Sequence, residues 1–204
     1  MRTRKIAIAL IVTLSVLGLA SQAWAEKGGK RVQFGVVYSS PTGDYVDEDE
    51  TTELDSAVGF QASFEYMVTD LIGVEPAIGF LDHDVTVRET GFPELDLGDT
   101  SLFALTANVN FHLLRDKKVD FFVGPTIGYA FWGDLKSDLF GENFPIDDEF
   151  IYGVNLGVDI PFGQGGWGFA ASIDYLLSDL TPEGSDAEIG VDPFELRAGV
   201  SYRF

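Results

Sequence analysis

The sequence contains no cysteine and few basic side chains. Without cysteine a disulfide-stapled scaffold is excluded, so the fold must be stabilised by burial and strand pairing. Only 13 lysines and arginines oppose 33 aspartates and glutamates, which leaves a net charge of -20. Because phosphate groups would meet this negative charge, neither nucleic acid nor other anionic ligands are expected as general partners.

Long apolar runs are also scarce. The run at residues 6–20 is shorter than the roughly 20 residues that a membrane-spanning helix needs. Basic residues precede it at positions 2, 4 and 5, and the small-x-small triplet Ala23-Trp24-Ala25 follows it. This order predicts a cleaved secretory signal peptide over residues 1–25. The remaining chain, residues 26–204, has a length suited to one domain.

Helical periodicity is missing after residue 25, and apolar and polar residues alternate instead. The alternation predicts eight strands: 31–40, 56–68, 72–81, 101–113, 119–132, 149–160, 168–177 and 191–204. Most have the roughly 9–11 residues that a tilted strand needs to cross a bilayer. Long acidic loops alternate with short turns such as 69–71, as in transmembrane barrels. Residues 26–204 are therefore predicted to form an all-β, eight-stranded, antiparallel up-and-down transmembrane β-barrel in the outer membrane.

The alternating faces leave one structural alternative open. Aromatic residues near strand ends, such as Phe34 and Tyr38, suit the interfacial girdles of a membrane barrel. A soluble lipocalin-like barrel alternates in the same way with its apolar face inward, and alternation alone does not assign the two faces. Pro76 and Pro125 fall inside predicted strands, where each is expected to mark a bulge or a displaced strand end.

The segment YGVNLGVDIPFGQGGWGFAASIDYLLSDL at 152–180 and the closing AGVSYRF at 198–204 resemble the outer-membrane protein W family of eight-stranded barrels. The resemblance implies a barrel in the outer membrane of a Gram-negative bacterium, in contact with lipid and lipopolysaccharide, that helps small apolar molecules cross. The final Tyr202 and Phe204 look like the signal that the barrel-assembly machinery reads. No catalytic residue, metal or cofactor is expected.

If the apolar face lies outward, strand parity assigns the side chains of the lumen. Six apolar residues are predicted near the extracellular mouth as a ligand-binding vestibule: Val37, Leu81, Leu102, Trp132, Ile151 and Leu176. Charged residues are predicted below them as a polar plug: Glu65, Glu75, His112, Asp174, Glu195, Arg197 and Arg203. Salt bridges of Glu195 or Asp174 with Arg197 or Arg203 are expected to hold this plug. The alternative is that the six apolar residues only pack a lumen too narrow for a ligand.

Three other patterns in the sequence are not interpreted as dedicated binding or catalytic sites. GQGGWG at 163–168 matches a dinucleotide motif, but an alternating strand follows where a helix is required, so a turn is predicted. The acidic run 47–50 lacks the spacing of a calcium loop and is interpreted as a solvated charge run or as loose divalent-ion screening near lipopolysaccharide. His83 and Ser101 share the outer rim, but no spacing rule supports a hydrolase there.

The function predicted from these features is a narrow channel or binding site for small hydrophobic molecules. The alternative is a plugged structural or adhesive surface barrel that acts through its acidic extracellular loops, above all the loop at 44–55. Neither function is enzymatic.

Overall fold

The computed structural model describes residues 28–42, 44–47, 50–89, 95–115, 119–137, 141–163, 165–181 and 189–204. The predicted signal peptide, residues 1–25, lies outside these ranges. Among the described residues, no helix has both the length and the apolar character needed to cross a membrane.

The described residues form fourteen strands. In chain order they are β1 (Lys30–Ser40), β2 (Asp44–Asp47), β3 (Glu50–Leu54), β4 (Ala57–Met67), β5 (Ile72–Glu89), β6 (Leu95–Arg115), β7 (Asp120–Trp132), β8 (Leu135–Ser137), β9 (Glu142–Phe144), β10 (Glu149–Pro161), β11 (Trp167–Leu177), β12 (Asp179–Leu180), β13 (Ile189–Gly190) and β14 (Phe194–Arg203).

Eight long antiparallel strands close into a barrel in the order β1, β4, β5, β6, β7, β10, β11 and β14. The last strand returns to the first, and their pairing runs from Arg31 opposite Arg203 to Ser40 opposite Phe194. Every long strand therefore has two neighbours, and the eight-stranded barrel has no free edge. The predicted fold class is confirmed.

Two strands continue well beyond their predicted ends on one side of the barrel. β5 was expected to end at residue 81 and β6 to begin at 101, but they pair as far as Val87 opposite Leu95. The hairpin β2–β3 then adds to β5, with Leu54 opposite Val85. The prediction stopped early because exposed aspartates, such as Asp82 and Asp84, replace the apolar residues on the outward face of β5.

The two prolines do not shift the strand register, so the prediction of bulges or strand ends at these positions is wrong. Around Pro76, the β4–β5 pairing pauses between Ser63–Ala77 and Tyr66–Val74 and then resumes in the same register. The register shifts of β5 and β6 lie elsewhere, between Val85 and Thr86 and between His112 and Leu114. Each proline removes one donor without adding a residue, so the ladder weakens locally but does not slip.

The apolar face lies outside and the charged face lies inside. Phe34, Val58 and Phe169 are each more than half exposed on the outer wall, whereas Arg31 and Asp159 are buried in the lumen. A soluble barrel would have to leave this apolar belt in water, at a cost of about 25 cal/mol for each Å². The lipocalin-like alternative is therefore wrong, and the outer wall has the character of a surface that faces lipid.

Candidate functional site

All six residues predicted for the mouth lie in one apolar cluster at the outer end of the lumen. The cluster also contains Leu54, Ala57, Val85, Ala130 and Val191, with Leu97, Ala104, Leu135 and Ile146 packed against it. Parity predicted six of the eleven members. Leu54 and Val85 lie beyond the predicted strand ends, whereas Ala57, Ala130 and Val191 lie inside predicted strands and were still not predicted. We call the eleven buried residues the apolar cluster.

The side chains of the apolar cluster fill the outer end of the lumen. The six predicted residues are only 1–8% exposed. Directly below them, a cavity of about 20 Å³ separates Val37, Leu81 and Leu176 from the charged side chains of Asp174 and Arg197. This close packing is what the packing alternative requires, and ligand binding by these six residues stays a prediction.

A network of buried charged and amide groups occupies the inner half of the lumen. Asn110 is its centre, since its Nδ2 donates to Glu65 Oε1 at 2.7 Å and to Glu75 Oε2 at 2.6 Å. Asn155 Nδ2 donates to Asn110 Oδ1 at 2.9 Å, and Ser63 Oγ donates to Glu75 Oε1 at 2.6 Å. Ser63 was not predicted, because a serine in an alternating strand gives no signal of its partner.

Arg31 brings a positive charge into the middle of this network. Its Nη2 lies 3.0 Å from Glu65 Oε2 and 3.7 Å from Glu75 Oε2, and its Nη1 lies 3.4 Å from Asp159 Oδ2. The guanidinium also lies over the Phe122 ring, 4.7 Å from its centroid. One cation therefore faces three buried carboxylates that come from three different strands.

His112 and Arg203 close the network at its inner end. The His112 ring nitrogens lie 2.8 Å from Asp120 Oδ1 and 3.1 Å from Glu65 Oε1. Carboxylate oxygens only accept, so the ring donates from both nitrogens and carries a positive charge. Arg203 Nη2 donates to Asp120 Oδ2 at 3.0 Å and to Asp159 Oδ1 at 2.8 Å.

A separate ion pair lies between this network and the apolar cluster. Arg197 donates to Asp174 through Nε at 2.8 Å and through Nη2 at 2.6 Å, in the bidentate geometry typical of strong charge pairs. Glu195 is buried opposite Asp174 on the neighbouring strand. The Arg197–Asp174 bridge agrees with the expected pairing. Arg203 differs from expectation, since it pairs with Asp120 and Asp159 rather than with Asp174 or Glu195.

The predicted assembly residues lie where the barrel seam ends. Phe204 and Lys30 exchange backbone hydrogen bonds, N–H to carbonyl, at 3.0 and 3.2 Å. The Phe204 ring is 60% exposed and lies 6.0 Å from the Tyr202 ring, centroid to centroid. The Tyr202 ring meets Trp167 edge-on at 5.0 Å. These rings form part of an aromatic girdle at the inner end of the barrel.

The GQGGWG motif and His83, which were not interpreted as binding or catalytic sites, have structural roles. In GQGGWG, Gly163 and Gly166 adopt positive φ angles, and the strand β11 follows them, which confirms a turn. His83 Nδ1 donates to the backbone carbonyl of Asp55 at 2.8 Å, so no carboxylate orients its ring as a hydrolase would require.

Metal ligands do not gather in the described part of the chain, where no group of three histidine or acidic side chains suits a metal ion. The acidic run 47–50 includes residues outside the described ranges.

The family model described as "Outer membrane protein beta-barrel domain" matches residues 9–204. The comparison with curated proteins gives no significant match.

Solved structures with the same architecture include three outer-membrane barrels. OprG from Pseudomonas aeruginosa has a TM-score of 0.73 at 17% identity, with 89% of this chain and 98% of that chain covered. AlkL in DMPC bilayers has a TM-score of 0.61 at 19% identity, with 88% and 91% covered. The outer membrane protein W of E. coli has a TM-score of 0.52 at 19% identity, with 88% and 99% covered. At these identities the likeness is one of fold, and it agrees with the resemblance noted in the sequence.

Proposed function

Because this chain belongs to the outer-membrane protein β-barrel domain family, we propose that it admits small apolar molecules at its extracellular end and releases them sideways into the membrane. The observation that carries the proposal is the division of the lumen. An apolar outer half ends directly above a buried network of ion pairs. An apolar solute gains from the outer half, whereas passage through the inner half would separate paired buried charges.

The outer wall offers such a solute a place to leave. A groove of about 430 Å³, within the usual range of a ligand pocket, runs across the lipid-facing side from β4 to β10. Its sides are outward-pointing apolar side chains, including Phe64, Ile78, Leu105 and Ile127. Four paired residues form its floor: Ser63, Ala77, Thr106 and Gly128.

Lumen and groove approach each other at two residues of this floor. Thr106 lines both the groove and the small cavity beneath the apolar cluster. Gly128 pairs with Ile151 of the apolar cluster, and a Cβ added to Gly128 would lie 3.1 Å from Ile151 Cγ1 and 2.8 Å from Thr106 Cγ2. The barrel wall at Gly128 is therefore a single backbone, with the groove on one side and the cluster on the other.

The neighbouring seam supports sideways release. Pro76 lines the groove and has no N–H to donate, and the β4–β5 pairing pauses opposite it at Phe64 and Glu65. A seam with fewer hydrogen bonds costs less to separate than the rest of the ladder. The proposed route leads from the apolar cluster, past Thr106 and Gly128 on β6 and β7, into the groove and the surrounding lipid, and the weakened β4–β5 seam borders the same groove.

Replacing Leu81 by serine tests the outer half of this route. Leu81 is buried in the apolar cluster, and a hydroxyl there removes apolar contact and adds a polar group. We expect Leu81→Ser to lower the rate at which intact cells accumulate 2-propylnaphthalene by at least about fivefold. Val58→Ser, an equivalent change on the outer wall, should leave the rate unchanged. Equal rates for Leu81→Ser and wild type would reject the proposal and favour the surface structural or adhesive role.

Export and assembly belong to the same proposal. Residues 1–25 direct the chain out of the cytoplasm of a Gram-negative bacterium and are removed, and the barrel then contacts outer-membrane lipid and lipopolysaccharide. Tyr202 and Phe204 supply the signal that the barrel-assembly machinery reads. Their support is the exposed Phe204 ring, which lies against the half-buried Tyr202 ring at the inner end of β14.

The variant Phe204→Ala tests whether the Phe204 ring is needed for assembly in cells but not for the stability of the folded barrel. The backbone pairing with Lys30 does not need the ring, so urea unfolding of the protein refolded in micelles should change little. The amount of barrel in the outer membrane of cells should nevertheless fall several-fold. Phe162→Ala, which removes another exposed ring at the same end, is the matched control and should assemble normally. Equal loss in both variants would assign Phe204 to the aromatic girdle alone.

A further inference from the structure

Trp132 carries a buried hydrogen-bond donor that has no partner. Its side chain belongs to the apolar cluster and is 7% exposed, and its Nε1 is fully buried without an acceptor among the described residues. The indole N–H can only donate. A donor that is buried away from water without an acceptor lowers the free energy of unfolding, and native structures pair the great majority of such groups.

Several polar groups near Trp132 already have partners. Thr100 Oγ1 donates to the carbonyl of Gly133 at 3.1 Å, and the N–H of Gly133 donates to the carbonyl of Ser101 at 2.7 Å. The His83 ring, 6.1 Å from the indole between centroids, donates its Nδ1 proton to the carbonyl of Asp55. Among the described residues, Thr86 Oγ1 at this rim is also buried without a partner, but it is a hydroxyl that both donates and accepts, whereas the Trp132 indole, inside the apolar cluster, can only donate.

We propose that the solutes of this barrel are apolar molecules with one acceptor oxygen, such as ketones, esters or lactones, and that Trp132 Nε1–H donates to that oxygen. This inference rests on the proposed function and names its substrate class. A pure hydrocarbon would leave the donor unpaired, so it gains less from the same cluster. A carboxylate is disfavoured, since the cluster supplies no cation and burial penalises an unpaired charge.

The indole N–H signal reports the proposed hydrogen bond directly. A chain that begins at residue 26 contains only Trp132 and Trp167, so its nitrogen–proton spectrum has two indole peaks, and Trp167→Phe assigns them. In lipid nanodiscs, the ketone 2-propionylnaphthalene should move the Trp132 peak downfield, because its carbonyl oxygen accepts a hydrogen bond from the indole N–H. The alkyl analogue 2-propylnaphthalene should move it far less. The Trp167 peak, from the exposed girdle, controls for partition into lipid.

Trp132→Phe supplies the functional measurement, because it keeps an aromatic ring and removes the donor. In intact cells it should lower the ratio of ketone accumulation to alkyl-probe accumulation about fivefold, the ratio expected for one neutral hydrogen bond. Equal losses for both probes, or equal indole shifts, would overturn the assignment of Trp132 as a donor to solute.

The two proposals fail in different ways. Accumulation of both probes by wild-type cells without an indole shift would reject the donor and keep the transport route. A ketone-specific indole shift without accumulation above cells that lack the protein would keep the donor and reject the proposed transport. Neither shift nor accumulation would reject both.

Discussion

Arg31→Met should destabilise the barrel by about 3–5 kcal/mol, the usual cost of removing one partner from a buried ion pair. Arg31 is 3% exposed and faces the carboxylates of Glu65, Glu75 and Asp159, which methionine would leave without their shared cation. Methionine keeps most of the side-chain volume, so the loss reports charge rather than a cavity. Urea unfolding in phospholipid vesicles, followed by tryptophan fluorescence, measures this change in the free energy of unfolding. The urea concentration at the midpoint should fall, and the dependence of the free energy on urea concentration should stay the same.

Two comparisons make the Arg31 result specific. Lys136→Met removes a cation from the exposed pair with Asp99, where solvent screens both charges, and should leave the unfolding midpoint nearly unchanged. Glu65→Gln should destabilise the wild type but partly rescue Arg31→Met, because it removes one of the three buried carboxylates that Arg31 balances. Equal effects of the two methionine substitutions, or additive loss in the double variant, would show that the network does not act through its buried charges.

The alternating sequence was sufficient to predict the barrel and the faces of its strands, because side chains project with a period of two and the two faces meet different solvents. It placed Val37, Trp132 and Ile151 at one end of the lumen, where the structure brings them together. Parity and strand direction give a face and an approximate depth. They were enough for six members of this cluster, but not for Ala57 or Ala130, which also lie on barrel strands.

The ion-pair partners across the lumen could not be predicted from the sequence, because they depend on the register between strands. Arg203 was expected near Asp174 or Glu195, yet it reaches Asp159, 44 positions away in the chain. A barrel is closed by the stagger of its strands, and a shift of two residues moves a side chain by about 7 Å while preserving every inward and outward position. The alternation therefore does not distinguish Asp159 from Asp174 as the partner of Arg203.

The wall groove was hidden for the same reason. Its concavity arises where small outward residues such as Ala62 and Ala107 come beside Pro76 on neighbouring strands. Each residue by itself is an ordinary member of an apolar face. Only the pairing of Ala107 with Pro76 and Ile127 shows that the small side chains adjoin. The seam that supports sideways release is therefore a property of the register.

Filling this groove should block release without closing the extracellular mouth. Ala107→Trp places a large ring in the groove, and we expect accumulation of 2-propylnaphthalene by intact cells to fall at least about fivefold, as for loss of a ligand-sized apolar site. The ketone-dependent indole shift of Trp132 should persist, since the mouth is untouched and the new tryptophan has its own assignable peak.

Ala171→Trp is the matched control for the filled groove. Ala171 is exposed on the outer wall of β11, three strands from β6, and does not line the groove. The same enlargement there should leave accumulation unchanged. If both tryptophan variants accumulate the probe at the wild-type rate while Leu81→Ser does not, the solute enters the apolar cluster but leaves by another route. If both lose it equally, an enlarged outer wall impairs the barrel in general. Loss confined to Ala107→Trp makes the groove the exit, because it lies where the wall between the apolar cluster and the lipid is one backbone thick.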